Sequence, residues 1–254
     1  MYSILEHYLS TNHILMIGMI VTFILTFFLL EHPFSFLPSD QGRAFAVNGS
    51  LSKGKLRGVG FIFVLCFLIS SVLFLPIDVE YVIYAILLFA MMISGYLDDA
   101  SKTPWNEYKK GLIDLVISVV AVLTYMNFNS TTICFGADEI VIPKALFLIL
   151  GVILIWVSVN VTNCTDGVDG LCASLCSVTL LAFGVLFAPI LQKYAMANFL
   201  FLSVLFAYLY FNSSPSSMLM GDAGSRALGF YIAVIALKST HPFIYILLAA
   251  VMIV

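Results

Sequence analysis

Three short stretches carry most of the residues able to do chemistry. "GYLDDASK", residues 95–102, ends an apolar run in the adjacent carboxylates Asp98 and Asp99 and then Lys102. "NVTNCTDGVDGL", residues 160–171, sets Asn160, Asn163, Asp166 and Asp169 at three-residue intervals. "SSMLMGDAGSRALGF", residues 216–230, puts Asp222 among glycines, followed by Gly224 and Ser225. Adjacent acids repel unless a cation or a proton relieves them. A helix C-terminus adds an unfavourable dipole for an anion. Asp98 and Asp99 are therefore either solvated at a helix end or part of a site. Lys102, Lys109 and Lys110 follow closely. Acids beside lysines suit a diphosphate with Mg²⁺, the acids holding metal or proton and the lysines holding phosphate oxygens. The same lysines also suit an anchor to lipid headgroups.

The second stretch reads two ways. Its three-residue spacing puts Asn160, Asn163, Asp166 and Asp169 roughly on one helical face. Its two Asp-Gly steps point instead to a tight turn that lets backbone approach a ligand, or to a solvated turn. In the third stretch, Gly224 and Ser225 open a helix whose N–H groups suit a phosphate, with Asp222 a metal ligand at the same spot or an N-cap. "SKGKLRGVGF", residues 52–61, is basic and glycine-rich; it grips an anion or serves only as a topological signal. His241 is assigned no role. Cys66, Cys134, Cys164, Cys172 and Cys176 include no CxxC pair, and their odd number argues against a disulfide framework. Cys172 and Cys176, four apart on a helix, have the spacing of a soft metal pair but are read as packing residues.

These motifs are carried by a very apolar chain. Its 254 residues are 62% hydrophobic and 10% charged, against about 25% charged in soluble domains. An all-α, polytopic transmembrane bundle is expected, as one integral membrane catalytic domain over residues 1–254. Apolar runs lie near 12–30, 58–76, 80–97, 111–127, 143–160, 172–191, 195–211, 226–238 and 242–254, nine candidates for spans of about 20 residues. The eighth is short. The ninth stops at Val254 within an apolar run, so the domain is expected to be cut short at its C-terminus, nine spans of ten. The N-terminus lacks the basic and small-residue features of a cleaved leader.

Alternating spans put the loops 31–57, 98–110, 161–171 and 212–225 on one side. Arg43, Lys53, Lys55, Arg57, Lys102, Lys109, Lys110 and Arg226 fall there, against Lys144, Lys193 and Lys238 opposite. The positive-inside rule makes the richer side cytoplasmic and the N-terminus external. All three acidic motifs then share the cytoplasmic face, as a single active site requires.

"LDDASK", "NCTDGVDGL" and "MGDAGSRALG", in this order and on one face, resemble the polyprenyl-phosphate N-acetylhexosamine-1-phosphate transferase superfamily (glycosyltransferase family 4). Within it, Thr-Asp-Gly and the lysine of "DDASK" look most like the phospho-N-acetylmuramoyl-pentapeptide transferases. The resemblance implies a multi-pass enzyme of the bacterial cell membrane, usually a homodimer. Such enzymes transfer phospho-MurNAc-pentapeptide from UDP-MurNAc-pentapeptide to undecaprenyl phosphate, giving lipid I and UMP. It implies Mg²⁺ at Asp222, Asp98 handling the lipid phosphate, and Asp99 as its partner. It also implies Lys102 and Lys110 on the diphosphate, and Asn163, Asp166 and Asp169 around nucleotide and metal. No nucleic-acid partner is expected. Two features depart from the family: "KLRGVG" stands where a Thr-Pro-Thr-Met-Gly-Gly-like stretch is usual, and the late triple-histidine motif is absent. A sibling transferase of GlcNAc-1-phosphate is the near alternative. An ion-coupled transporter is the distant one, disfavoured because the acids sit at span ends rather than mid-membrane.

Overall fold

The computed structural model describes residues 1–32, 34–40, 42, 52–101, 103, 105–135, 138–189 and 191–253. Among the described residues a helix covers most of each of the nine expected runs. After a short α1 (Tyr2–Leu5) come α2 (Thr11–Glu31), α3 (Gly60–Phe74), α4 (Val79–Asp99), α5 (Glu107–Phe128), α6 (Lys144–Thr165), α7 (Leu171–Leu186), α8 (Gln192–Asn212), α9 (Gly221–Lys238) and α10 (Pro242–Ile253). Capping sets two starts: the Asp78 carboxylate accepts from Tyr81 N–H, and the Asn106 side chain accepts from Tyr108 N–H. Helices α2, α4, α5, α6 and α8 are long and apolar enough to cross a bilayer, while α3 and α7 are shorter apolar helices. The chain is a polytopic helical membrane protein. The expected all-α architecture gains one exception, a hairpin of β1 (Thr132–Phe135) and β2 (Asp138–Val141) between α5 and α6. Its strands pair antiparallel with Thr132 opposite Val141.

Exposed apolar side chains are concentrated on the outer helices, such as Ile20, Phe28, Leu112, Val116, Ile149 and Ile153. Water would disfavour such a surface; lipid does not. The centre belongs to α9. Every one of its 18 residues is buried, and it packs on α3, α4, α5, α6, α7 and α10. The run at 226–238 looks short because it measures only the apolar part of this helix. The helix itself begins at Gly221, so Asp222 sits in its first turn.

Two close crossings seat that polar first turn. A Cβ on Gly60 of α3 would overlap the backbone of Gly224, and a Cβ on Gly95 of α4 would overlap the backbone of Asp222 and Ala223. Only glycine allows the backbones to approach so closely. Gly95→Ala is therefore expected to push α9 away and lower stability by roughly 1–3 kcal/mol, as overpacking does. Gly167→Ala, whose Cβ would meet only Cys164 O at 3.8 Å, should cost less than about 0.5 kcal/mol. Thermal unfolding of the two variants in detergent tests the difference.

Candidate active site

Backbone pairing brings two loops together above the start of α9. Leu56 bridges Met218, Leu219 N–H donates to Leu56 O at 2.8 Å, and Gly60 N–H donates to Met220 O at 3.0 Å. A third segment joins them, with Asp40 N–H donating to Lys55 O at 2.8 Å and Arg57 N–H to Pro38 O at 2.9 Å. Gly221, at φ +67°, turns the chain into α9 with no room for a side chain against Asp99.

The result is a cluster of four carboxylates and two cations. Arg57 Nε lies 2.8 Å from Asp99 Oδ1; its Nη1 and Nη2 reach Asp40 Oδ1 and Asp222 Oδ1, each at 3.4 Å. Lys110 Nζ lies 2.6 Å from Asp98 Oδ2 and 3.3 Å from Asp222 Oδ2. Asp98 and Asp99 each have a short partner of their own. Asp222 lies between the two cations and shares both at longer range. Asp99 is fixed further by Ala223 N–H of α9, at 3.1 Å, where the helix N-terminus favours an anion. Asp98 Oδ1 accepts from Trp105 N–H at 2.7 Å. Burial works against the charge of Arg57, but Asp99, Asp222 and Asp40 outweigh it and hold its pKa above the ordinary value.

Beneath this cluster the charges alternate. Lys110 and Asp114 lie one turn apart on α5, and Asp222 and Arg226 lie one turn apart on α9. Lys110 pairs with Asp222, and Asp114 pairs with Arg226. The lower pair is deeply buried, Arg226 exposing 2% of its surface. Nε and Nη1 of Arg226 have no hydrogen-bond partner. A cleft of about 190 Å³ runs along the ladder, lined by Lys110, Asp114, Trp156, Asn163, Asp222 and Arg226 among others.

The "NVTNCTDGVDGL" stretch divides. Asn160 and Asn163 are on α6 and line the cleft, whereas Asp166 caps the helix and Asp169 follows in the turn to α7. Both readings of the spacing thus hold, for different halves. Asn163 Nδ2 donates to Ser225 Oγ at 2.9 Å, and Ser225 donates to Gly221 O at 3.0 Å. Asp169 belongs to a second group: it accepts from Ser216 N–H at 3.0 Å and lies 3.7 Å from Lys55 Nζ. Burial raises its pKa, but the Ser216 N–H and hydroxyl and the Lys55 charge overcome this and leave it below the ordinary value. Asp166 is buried.

Gly224 and Ser225 do not open α9; they lie inside its first turns, because the helix starts at Gly221. Gly224 is buried at the crossing with Gly60. Lys102 and Arg43 lie outside the described residues. Asp40 and the Asp114–Arg226 pair are components that sequence reasoning did not place in the site; for Arg57, in the basic stretch 52–61, it left an anion grip and a topological signal both open. Asp114 carried a usable signal, an acid inside an apolar run, where an ionised group needs a partner. Among the described residues no group of three or more His, Cys, Asp or Glu side chains forms an all-protein metal cage.

Residues 81–240 match the family model described as glycosyl transferase family 4. The span contains Asp98, Asp99, Lys110, Asn163, Asp166, Asp169 and Asp222 but not Arg57. The chain is 35% identical to the phospho-N-acetylmuramoyl-pentapeptide-transferase of Treponema pallidum, over 94% of this chain and 72% of that protein. It is 28% identical to the protein of the same name from Halalkalibacterium halodurans, over 96% of this chain and 80% of the relative. For the one from Microcystis aeruginosa the figures are 31%, 72% and 53%. A family match over more than half of the chain, containing three of the four carboxylates of the cluster, and a relative similar along nearly all of it lead to one conclusion: this membrane enzyme belongs to glycosyl transferase family 4.

Proposed function

We propose that the enzyme transfers phospho-MurNAc-pentapeptide from UDP-MurNAc-pentapeptide to undecaprenyl phosphate, giving lipid I and UMP. The names of its relatives supply the donor sugar and peptide. The observation that carries the reading is Asp222, held loosely between Lys110 and Arg57 while Asp98 and Asp99 keep the shorter contacts. In the reaction an oxygen of the lipid phosphate attacks the β-phosphorus of the sugar nucleotide. The new P–O bond forms as the bond from the β-phosphorus to the α-phosphate oxygen breaks, and UMP leaves with that electron pair. Little covalent work falls to the protein; it positions the phosphates and neutralises their charge.

The residues fit Mg²⁺. Asp40, Asp98, Asp99, Asp222 and the more exposed Glu107 are five carboxylates against the two cations Arg57 and Lys110, so negative charge is in excess. Mg²⁺ binds one or two carboxylates and takes its other ligands from phosphate oxygens and water. Asp222 is the carboxylate free to serve, and bound there the ion would neutralise phosphate oxygens. Lys110 is placed to leave Asp222 for a diphosphate oxygen. Asp98, next to Lys110, orients the lipid phosphate and takes its proton, with Asp99 holding the other side of the cluster. Asn163 and Ser225 extend the polar wall, and Asp166 and Asp169 shape the nucleotide end. Lys102, by the family resemblance, joins Lys110 on the diphosphate. The site faces the cytoplasm, in a homodimer of single-domain subunits in the bacterial cell membrane.

Purified protein with undecaprenyl phosphate and Mg²⁺ should release UMP from UDP-MurNAc-pentapeptide and not from UDP-GlcNAc. UMP from neither donor overturns the reading; UMP from UDP-GlcNAc alone moves the enzyme to the sibling activity. EDTA should stop release, and added Mg²⁺ should restore it. Asp222→Asn is expected to lower turnover by about 10³-fold, the scale of losing a central electrostatic group, with an unchanged unfolding temperature. Turnover within a few-fold of wild type would remove Asp222 from the metal role.

A further inference from the structure

Arg57 is the one cation of the cluster outside the family-model match, and it stands in the segment "KLRGVG" whose sequence departs from the family pattern. A purely topological arginine would reach for lipid headgroups. This one turns inward, its side chain 29% exposed, onto three carboxylates from three segments. Its contacts are unequal. The Nε edge is anchored on Asp99 at 2.8 Å, and the Asp99 side chain is itself buried and held by the start of α9. Both Nη groups make only 3.4 Å contacts, at the weak limit for a hydrogen bond. A guanidinium has five N–H donors in a rigid fork. Three contacts are made among the described residues. The anchored edge fixes the fork while its other end faces Asp222.

We propose that Arg57 is a catalytic cation of this enzyme. In the ligand-free protein its Nη2 occupies one side of Asp222 and competes with a divalent cation there. With substrate bound, its Nη groups donate to the diphosphate while Nε stays on Asp99. The second half of this proposal rests on the transfer reaction proposed above; the first half does not. Asp99 is then a positioning residue that acts through Arg57. Arginine suits this task because one planar group can hold a carboxylate by one edge and a phosphate by the other, which an ammonium cannot do.

The test is a Mn²⁺ titration of the full purified chain, followed by electron paramagnetic resonance without sugar nucleotide. Arg57→Met should bind Mn²⁺ about tenfold more tightly than wild type, because a unit positive charge a few ångströms from the carboxylate is gone. Arg57→Lys keeps the charge, so its Mn²⁺ affinity should stay within about threefold of wild type while UMP release remains low, on the order of 10²-fold down, for want of the fork. Arg57→Gln, which keeps a donor for Asp99 and removes the charge, is the reserve should the Met variant not survive purification, with the same expected tightening. Unchanged Mn²⁺ affinity in a folded neutral variant overturns the competition. Wild-type turnover in Arg57→Lys overturns the fork. Absence of UMP release from wild-type protein overturns the transfer reading and the diphosphate half of the proposal with it, while the competition at Asp222 is judged by the Mn²⁺ titration, which contains no donor.

Discussion

The structure depends on placing a carboxylate at the start of a helix that is packed in protein along its whole length. Helix α9 is buried along its whole length, so Asp222 cannot be solvated the way an acid on a peripheral helix is. An uncompensated buried charge costs several kcal/mol or is neutralised. Each neighbouring feature answers that cost. The glycine crossings at Gly60 and Gly95 bring α3 and α4 onto the first turn. Arg57 arrives on a loop paired with 218–220, and Lys110 arrives one turn into α5. Asp99 meets Ala223 N–H, which satisfies one of the donors a helix start leaves open.

The alternating ladder between α5 and α9 follows from the same requirement. Lys110–Asp222 and Asp114–Arg226 are two rungs of opposite polarity, so sliding one helix past the other by a turn would set like charges face to face. A buried ion pair contributes little net stability compared with well-packed apolar residues, but it strongly penalises the wrong register. The lower rung is therefore best understood as holding α5 where Lys110 can reach both Asp98 and Asp222. The upper rung is looser, 3.3 Å against the 2.6 Å of Lys110 to Asp98. The position of α5 is set deep in the bundle, and the looser contact lies in the carboxylate cluster above it.

The helices were readable because lipid imposes a length and an apolarity on every element that touches it. The same rule misjudged α9: a helix surrounded by protein is free of that length requirement, and its polar first turn, residues 221–225, looks like loop. The three acidic motifs were readable as partners through loop parity, and Asp98, Asp99 and Asp222 do converge. The cations were harder. Arg57 and Arg226 count as positive-inside charges whether they face lipid or a carboxylate, so composition cannot separate topology from catalysis. Asp40 and Arg57 are also brought together by backbone pairing between 38–40 and 54–57, a contact with no local spacing signal. Asp169 follows Asp166 by three residues yet turns to Lys55 and Ser216, because α6 ends at Thr165 and Asp169 lies in the turn beyond its cap.

A second charged cluster lies at the far end of α9, and it bears on what the bundle can do. Lys238 Nζ contacts both oxygens of Glu80 at 3.0 Å and Asn129 Oδ1 at 2.6 Å. It stands 12 residues beyond Arg226, about 18 Å along a helix. Charged groups at both ends of a central helix are what an ion path would need. The intervening turns of α9, from Ala227 to Leu237, carry no charged side chain. They pack against aromatic rings such as Phe67 stacked on Phe201 at 4.2 Å, with Tyr231 edge-on to both. The cavity there holds about 20 Å³, room for roughly one water. An ion crossing that layer would be desolvated with nothing to replace its hydration. The cluster at this far end thus closes the bundle by tying α4 and the end of α5 to the end of α9.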